Sequence, residues 1–316
     1  MDIAPPPAIP KDFLSVADLS SGELVRLLEQ AERFKADRLA RRIMSPQPLA
    51  GMHVAMLFEK PSLRTRSTFE IAVRELGGDT LNLSPEFADG KREPLKDVAR
   101  NLERWVHALV IRTYGQEKAA TIAAAAPRLH VVNALTDEEH PCQALADMMT
   151  LRERWGSMRG RRLAFVGDGN NVATSLAQAA LMLGVTVHVA SPAGYALPDR
   201  AVPRIGGLAR DGAELRLFSD PRQAVAGVHA VYTDVWTSMG QEVEAAERAH
   251  AFEGFQVNAS LMQEAAKDAL FMHCLPAHRG EEVTADVFES PASVVFDQAE
   301  NRLHTQKALL ALLLSS

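Results

Sequence analysis

Residues 58–78 read Phe58-Glu-Lys-Pro61-Ser62-Leu63-Arg64-Thr65-Arg66-Ser-Thr-Phe69-Glu-Ile-Ala72-Val73-Arg-Glu-Leu76-Gly77-Gly78. His53 to Phe58, just ahead, is an apolar run of strand length. Pro61 breaks it, and Ser62 is a suitable N-cap for a following helix. Phe69, Ala72, Val73 and Leu76 stand at i, i+3, i+4 and i+7, the stripe of a core-facing helix. Gly77 and Gly78 end it. A strand that runs straight into a helix leaves the free N–H groups of the first turn at the strand's carboxyl end. Ser62, Arg64, Thr65 and Arg66 surround those amides with hydroxyl and guanidinium donors, which suits an anion and phosphate above all. Taken alone, Arg64 and Arg66 are equally compatible with solvated surface positions.

Outward from this unit, strand and helix signals alternate. Ser20 and Ser21 precede an amphipathic helix (Leu24, Leu27, Leu28, Ala31, Phe34) running to about Arg42. Strands are predicted near 53–58, 79–83, 106–112 and 130–134, with helices near 63–76, 95–104, 116–125 and 141–154. The second half repeats the scheme, with strands near 163–167, 185–190, 214–218, 229–234, 269–273 and 293–296. Asn301 to Leu314 closes the chain as a helix. Such alternation specifies an α/β fold with parallel sheets flanked by helices. The interruption from Trp155 to Gly160 marks a boundary between two domains.

Composition narrows the function. The chain has 316 residues, 47% of them hydrophobic, enough for two domains with real cores. Its formal net charge of −6 supplies no basic field for nucleic acid or membrane, so an anion site must be built locally. The two cysteines, Cys142 and Cys274, fit a reducing compartment better than a disulfide framework. No signal-peptide pattern and no membrane-length apolar run is evident. A soluble cytoplasmic protein is expected.

Further polar clusters fall at predicted strand ends, where open α/β sheets collect ligands. Arg112 closes the strand at 106–112. His140-Pro-Cys-Gln143 opens a helix with proline in its first turn, and its His and Gln share one helical face. Gly167-Asp-Gly-Asn-Asn171 resembles half a dinucleotide fingerprint. Its third glycine is replaced by Val172, however, and no acidic ribose partner ends the next strand. Two asparagines at such a turn suit a carboxylate or an amine instead. Asp234-Val-Trp-Thr-Ser238-Met239-Gly240 can hold a cationic amine, or be a capping Asp with a surface loop. Cys274, in His273-Cys274-Leu275-Pro276, can be a nucleophile, a packed thiol or a metal ligand, although the second spaced pair of a zinc site is missing. Arg302 comes just inside the last helix.

Four of these motifs occur together and in order: Ser62-Leu-Arg-Thr-Arg66, His140-Pro-Cys-Gln143, Asp234-x-x-x-Ser238-Met-Gly240 and His273-Cys-Leu-Pro276. The chain thereby resembles the aspartate/ornithine carbamoyltransferase family, almost end to end. Its Ser-Met-Gly loop and Cys-Leu-Pro segment are similar to the ornithine branch. The resemblance implies a carbamoyl phosphate domain over residues 1–150 and an amino-acid domain over 151–299. The active site would lie in the interdomain cleft, with a final helix (300–316) packed back on the first domain. It implies transfer of a carbamoyl group from carbamoyl phosphate to the δ-amine of L-ornithine, without cofactor or metal, by a homotrimer or a multiple of it. Carried over by position, Ser62, Leu63 (through its amide), Arg64 and Thr65 would hold the phosphate, and Arg302 would complete the carbamoyl phosphate site. Arg112, His140 and Gln143 would hold the carbamoyl group, with Arg112 also reaching the phosphate. Asn171, Asp234, Ser238 and Met239 would hold ornithine, and Cys274 and Leu275 would border the reacting centre. Arg112, His140, Asp234 and Cys274 are the expected catalytic groups. Two positions depart from the family pattern: Leu63 replaces a usual Thr, and Ala88 stands where a cross-subunit Gln or His is common. Lys91 and Arg92 are the candidates to replace that contact.

Overall fold

A computed structural model describes residues 9–42, 45–88, 92–238, 240 and 242–314. The first half holds helix α1 (Ser21–Leu39), strand β1 (His53–Phe58), α2 (Leu63–Glu75), β2 (Asp79–Leu83), α3 (Leu95–Leu102), β3 (Ala108–Arg112), α4 (Gln116–Ala125), β4 (His130–Leu135) and α5 (Pro141–Trp155). The second half continues with β5 (Arg162–Val166), α6 (Asn171–Met182), β6 (Thr186–Ala190), α7 (Ala201–Gly206), β7 (Leu215–Phe218), α8 (Pro221–Val225) and β8 (Ala230–Thr233). After it come α9 (Ala245–Ala251), α10 (Ala259–Met262), β9 (Leu270–His273), α11 (Ala285–Phe288) and α12 (Val295–Leu314).

Two parallel sheets result, ordered β2-β1-β3-β4 and β7-β6-β5-β8-β9. Central strands such as β3 and β8 are buried along their whole length, as their unbroken apolar runs require in a sheet covered on both faces. Edge strands β2 and β7 are largely exposed. In each sheet the strand order reverses beside the first strand. The chain moves from β1 out to β2, then returns to β3 on the other side; likewise β5 leads to β6 and β7, then β8 returns. Crevices open at such switch points, at the carboxyl ends of the strands. The register sets Phe58 beside Arg112 in one sheet. In the other it aligns Val166, Thr233 and His273. The loops that follow these residues therefore start side by side.

One hydrophobic cluster joins the halves, running from Val54 and Val110 through Leu145 and Met148 of α5 to Leu176 of α6 and Leu163 of β5. Helix α12 lies against α1, α2 and α5 and touches β9. Helix α1 stops at Leu39, short of the expected Arg42, and Arg41 turns into the left-handed region at φ 54°.

The strand expected at 293–296 does not form. Phe271 bonds to Ala292 O and Val294 bonds back to Phe271 O, giving a single bridge at Ser293. The chain then turns into α12, whose first helical bond runs from Gln298 N to Val294 O.

Candidate active site

The β1–α2 turn forms one wall. Ser62 is extended and caps α2, its Oγ accepting the Thr65 N–H at 3.2 Å. Among the described residues the Leu63 and Arg64 amides donate to no group of the protein. The Leu63 side chain projects into solvent, so its backbone N–H is the polar group it offers. Arg64 sends Nη2 across to Leu275 O at 2.6 Å. Arg66 lies instead over the Phe58 ring, 5.1 Å from its centroid. Residues two apart are separated by about 200° around a helix, so the two arginines cannot serve the same face.

Two more guanidiniums converge here. Arg112, at the end of β3, is buried, and its Nε has no partner among the described residues. Burial pushes its pKa down to about 10, helped by the Arg302 and Arg64 charges, so it remains cationic at pH 7. Arg302 reaches over from α12, giving Nη2 to Thr65 Oγ1 at 2.8 Å and Nη1 to Gln143 Oε1 at 2.5 Å. None of the three is ion-paired with a carboxylate among the described residues. His140, at the start of α5, is also buried, and its Nδ1 has no partner among the described residues. Burial first, then the Arg302, Arg112 and Arg64 charges, hold its imidazole well below the usual range. It is therefore a neutral ring, able to donate one hydrogen bond without adding charge. Three unpaired cations beside open amides and a neutral imidazole make a site for a compact anion of high charge.

Strand ends of the second sheet form the opposite wall. Asn170 caps α6, accepting from Val172 N and Ala173 N, and donates Nδ2 to Asp234 Oδ2 at 2.9 Å. Asp234 Oδ1 accepts Val235 N at 2.8 Å and the Cys274 thiol at 3.0 Å. Burial and the Asp234 carboxylate push the Cys274 thiol well above its ordinary pKa. It is thus a neutral donor at pH 7, which disfavours the nucleophile reading. Asp234, His273 and Cys274 hold ligand-type atoms within 4.8 Å of one another. Both His273 nitrogens are engaged, however: Nδ1 accepts Leu275 N at 2.9 Å and Nε2 meets Glu282 Oε1 at 3.1 Å. Leu275 is left-handed (φ 62°), a conformation costing about 1–2 kcal/mol for an L-residue; its N–H is tied to His273 and its carbonyl takes Arg64. Asn171 Nδ2 donates to Thr136 O at 2.5 Å, a second link between the walls.

Both walls line one cavity of about 1000 Å³. Ser62, Leu63, Arg64, Thr65, Arg112 and His140 line it from one side. Asn171, Asp234, Ser238, Cys274 and Leu275 line it from the other, with Arg302 at the back. Gln143 does not reach the cavity; it is buried behind it, bonded to Arg302 and Asp147. Met239 and Lys91 lie outside the described residues, and Arg92 is exposed.

Several lining residues were not singled out from the sequence. Lys60 pairs with Asp137 at 2.6 Å and sits 4.3 Å from the Tyr114 ring centroid. Asp168 is held by Arg248 at 2.7 Å. Lys60 and Asp168 lie within loops already marked by Pro61 and Gly167, so their position beside a strand end was the available signal.

This is a two-domain α/β protein with a guanidinium-lined cleft set between two switch points. The chain belongs to the aspartate/ornithine carbamoyltransferase family. The family's carbamoyl-P binding domain matches residues 11–153, and its Asp/Orn binding domain matches 159–313. It is 52% identical to an ornithine carbamoyltransferase of Acidothermus cellulolyticus over 97% of both chains. The solved ornithine carbamoyltransferase from Pyrococcus furiosus superposes with a TM-score of 0.93 at 46% identity, over 97% of this chain and 98% of that one. The Thermus thermophilus enzyme gives 0.86 at 44%, over 97% and 100%.

Proposed function

We propose that the protein transfers the carbamoyl group of carbamoyl phosphate to the δ-amine of L-ornithine, releasing L-citrulline and phosphate. One observation carries this reading: Arg64, Arg112 and Arg302 face Asp234 and Cys274 across a single cavity. A dianion and a cationic amino acid can thus be bound side by side. The Leu63 and Arg64 amides, with Ser62, Thr65 and Arg302, grip the phosphate. Arg112 and His140 hold the carbamoyl oxygen, with Arg112 also reaching the phosphate, and Gln143 acts through Arg302. Asp234, Asn171, Ser238 and Met239 hold ornithine, and Leu275 borders the reacting carbon.

As the amine attacks, negative charge grows on the carbamoyl oxygen, and donors already aimed at it stabilise the transition state. Holding both substrates in one cleft contributes up to roughly 7–11 kcal/mol. The amine attacks only when neutral; from a reference pKa of ~10.4, deprotonation at pH 7 costs about 4–5 kcal/mol. Asp234 and the protonated Cys274 thiol orient it, and the leaving phosphate is a suitable proton acceptor.

The same reading assigns residues 1–150 with the C-terminal helix to the carbamoyl phosphate domain and 151–299 to the ornithine domain. It makes the protein a cytoplasmic homotrimer, or a multiple of trimers, serving arginine biosynthesis. Purified protein incubated with carbamoyl phosphate and L-ornithine, L-aspartate or putrescine in turn tests the reaction. Citrulline from ornithine alone is expected. Carbamoyl-aspartate as the main product, or no carbamoylated amine, contradicts it.

A further inference from the structure

A carboxylate lies behind the cleft that the chemistry above does not use. Asp147 of α5 is fully buried and accepts three hydrogen bonds. Gln143 Nε2 and Gln298 Nε2 reach Oδ1 at 2.8 and 2.9 Å, and the Tyr232 hydroxyl reaches Oδ2 at 3.2 Å. Each donor is tied to a wall of the cleft. Gln143 Oε1 accepts Arg302, which continues to Thr65. Gln298 Oε1 accepts the His273 N–H at 3.0 Å, one residue before Cys274. Tyr232 is two residues before Asp234.

A glutamine amide has a donor end and an acceptor end, whereas an ionised carboxylate only accepts. Asp147 therefore decides which way both amides point. With nitrogen turned to Asp147, each oxygen faces outward, one to the Arg302 guanidinium and one to the His273 N–H. A flip would set NH2 against those donors.

We propose that Asp147 is a positioning residue for the transfer reaction, orienting Gln143 and Gln298 so that Arg302 and the Cys274 strand end stand at fixed places on the two walls. The inference rests on the function proposed above. Burial raises the Asp147 pKa to about 6, opposed by the Gln298 and Gln143 hydrogen bonds and by the Arg302 charge. At neutral pH it is ionised and acceptor-only, as the arrangement requires. Polar networks of this kind are firm when every member is satisfied and fail together when one is not.

The test compares Asp147→Leu with Asp147→Asn. Leucine removes the oxygen that both glutamine amides share, so neither amide is held with its nitrogen inward. Asparagine keeps Oδ1 for both amides and gives its NH2 to the Tyr232 hydroxyl, which accepts as well as donates. Carbamoyl phosphate affinity is read by calorimetry, kcat and both KM values by citrulline formation, and folding by thermal melting. Asp147→Leu is expected to bind carbamoyl phosphate at least about tenfold more weakly and to lose kcat, with KM for ornithine at saturating carbamoyl phosphate changing less than about threefold. Asp147→Asn is expected to stay within about threefold of wild-type affinity. Wild-type affinity in Asp147→Leu, or a loss of about tenfold in Asp147→Asn, overturns the proposal. Should Asp147→Leu not fold, Asp147→Asn decides alone: affinity within about threefold of wild type supports the proposal, and a loss of about tenfold or a failure to fold overturns it. Wild-type protein that binds carbamoyl phosphate without making citrulline contradicts the proposed function and leaves this binding test standing.

Discussion

Arg112 and Arg302 are buried beside each other, each with an Nε that has no partner among the described residues. Arg64 adds a third positive charge that lowers the pKa of both. Such crowding opposes folding, because like charges repel and each loses hydration. Clusters of this kind are characteristic of sites built for a ligand of opposite charge. Arg112→Ala removes a donor from both the carbamoyl oxygen and the phosphate. Steady-state citrulline formation is expected to fall by at least about 10²–10³ in kcat with an unchanged circular dichroism spectrum; near-normal turnover removes Arg112 from the site. Cys274 gives a prediction of the opposite kind. Its thiol is raised by burial and by Asp234, so iodoacetamide at pH 7.5 is expected to label it far more slowly than free cysteine, whose pKa is about 8.5. Labelling as fast as free cysteine would mean a thiolate stands there.

At the scale of elements, the opening of α2 was legible because its signals are local: a strand, a proline, a capping serine and an apolar stripe lie within some 25 residues. What the sequence hid is long-range. Gln143 shares a helical face with His140, which suggested a common target, but its amide is claimed by Arg302, 159 residues away. Asp147, a carboxylate inside a helix, reads as solvent-facing until the packing of β8 and α12 is known. Val294-Val295-Phe296 has strand composition, yet α12 begins at Val295, and the helix as a whole packs on α1, α2 and α5. Propensity is a weak prior against such packing. Gly169 tests the β5–α6 turn. A Cβ there would lie 2.2 Å from Leu197 N and 2.4 Å from Ala196 C, both unyielding backbone atoms. Gly169→Ala is expected to destabilise the protein by about 1–3 kcal/mol, read as a lower denaturation midpoint; an unchanged midpoint means the turn is not packed as described. Loss of the Ser62 cap in Ser62→Ala should cost about 1 kcal/mol of stability, read as a lower denaturation midpoint; an unchanged midpoint means the cap does not hold α2.

At the scale of the whole molecule, function depends on setting two switch points face to face. Helix α12 carries Arg302 from the end of the chain back to the first wall, and α5 carries His140 while packing on α6. Arg64 to Leu275 O and Asn171 to Thr136 O join the two walls directly, and the buried Asp147 joins them from behind through Tyr232 and Gln298. The need for a neutral amine sets the pH dependence: with both substrates saturating and chemistry limiting, kcat is expected to rise from about pH 6 to pH 9. A flat profile would show that amine deprotonation does not govern the step.

Diffraction from crystals soaked in carbamoyl phosphate tests the central claim most directly. The phosphate oxygens are expected within hydrogen-bonding distance of the Leu63 and Arg64 amides, with Arg112 and Arg302 turned onto the same ligand. Phosphate bound elsewhere in the cleft, with those amides facing only solvent, would contradict the account.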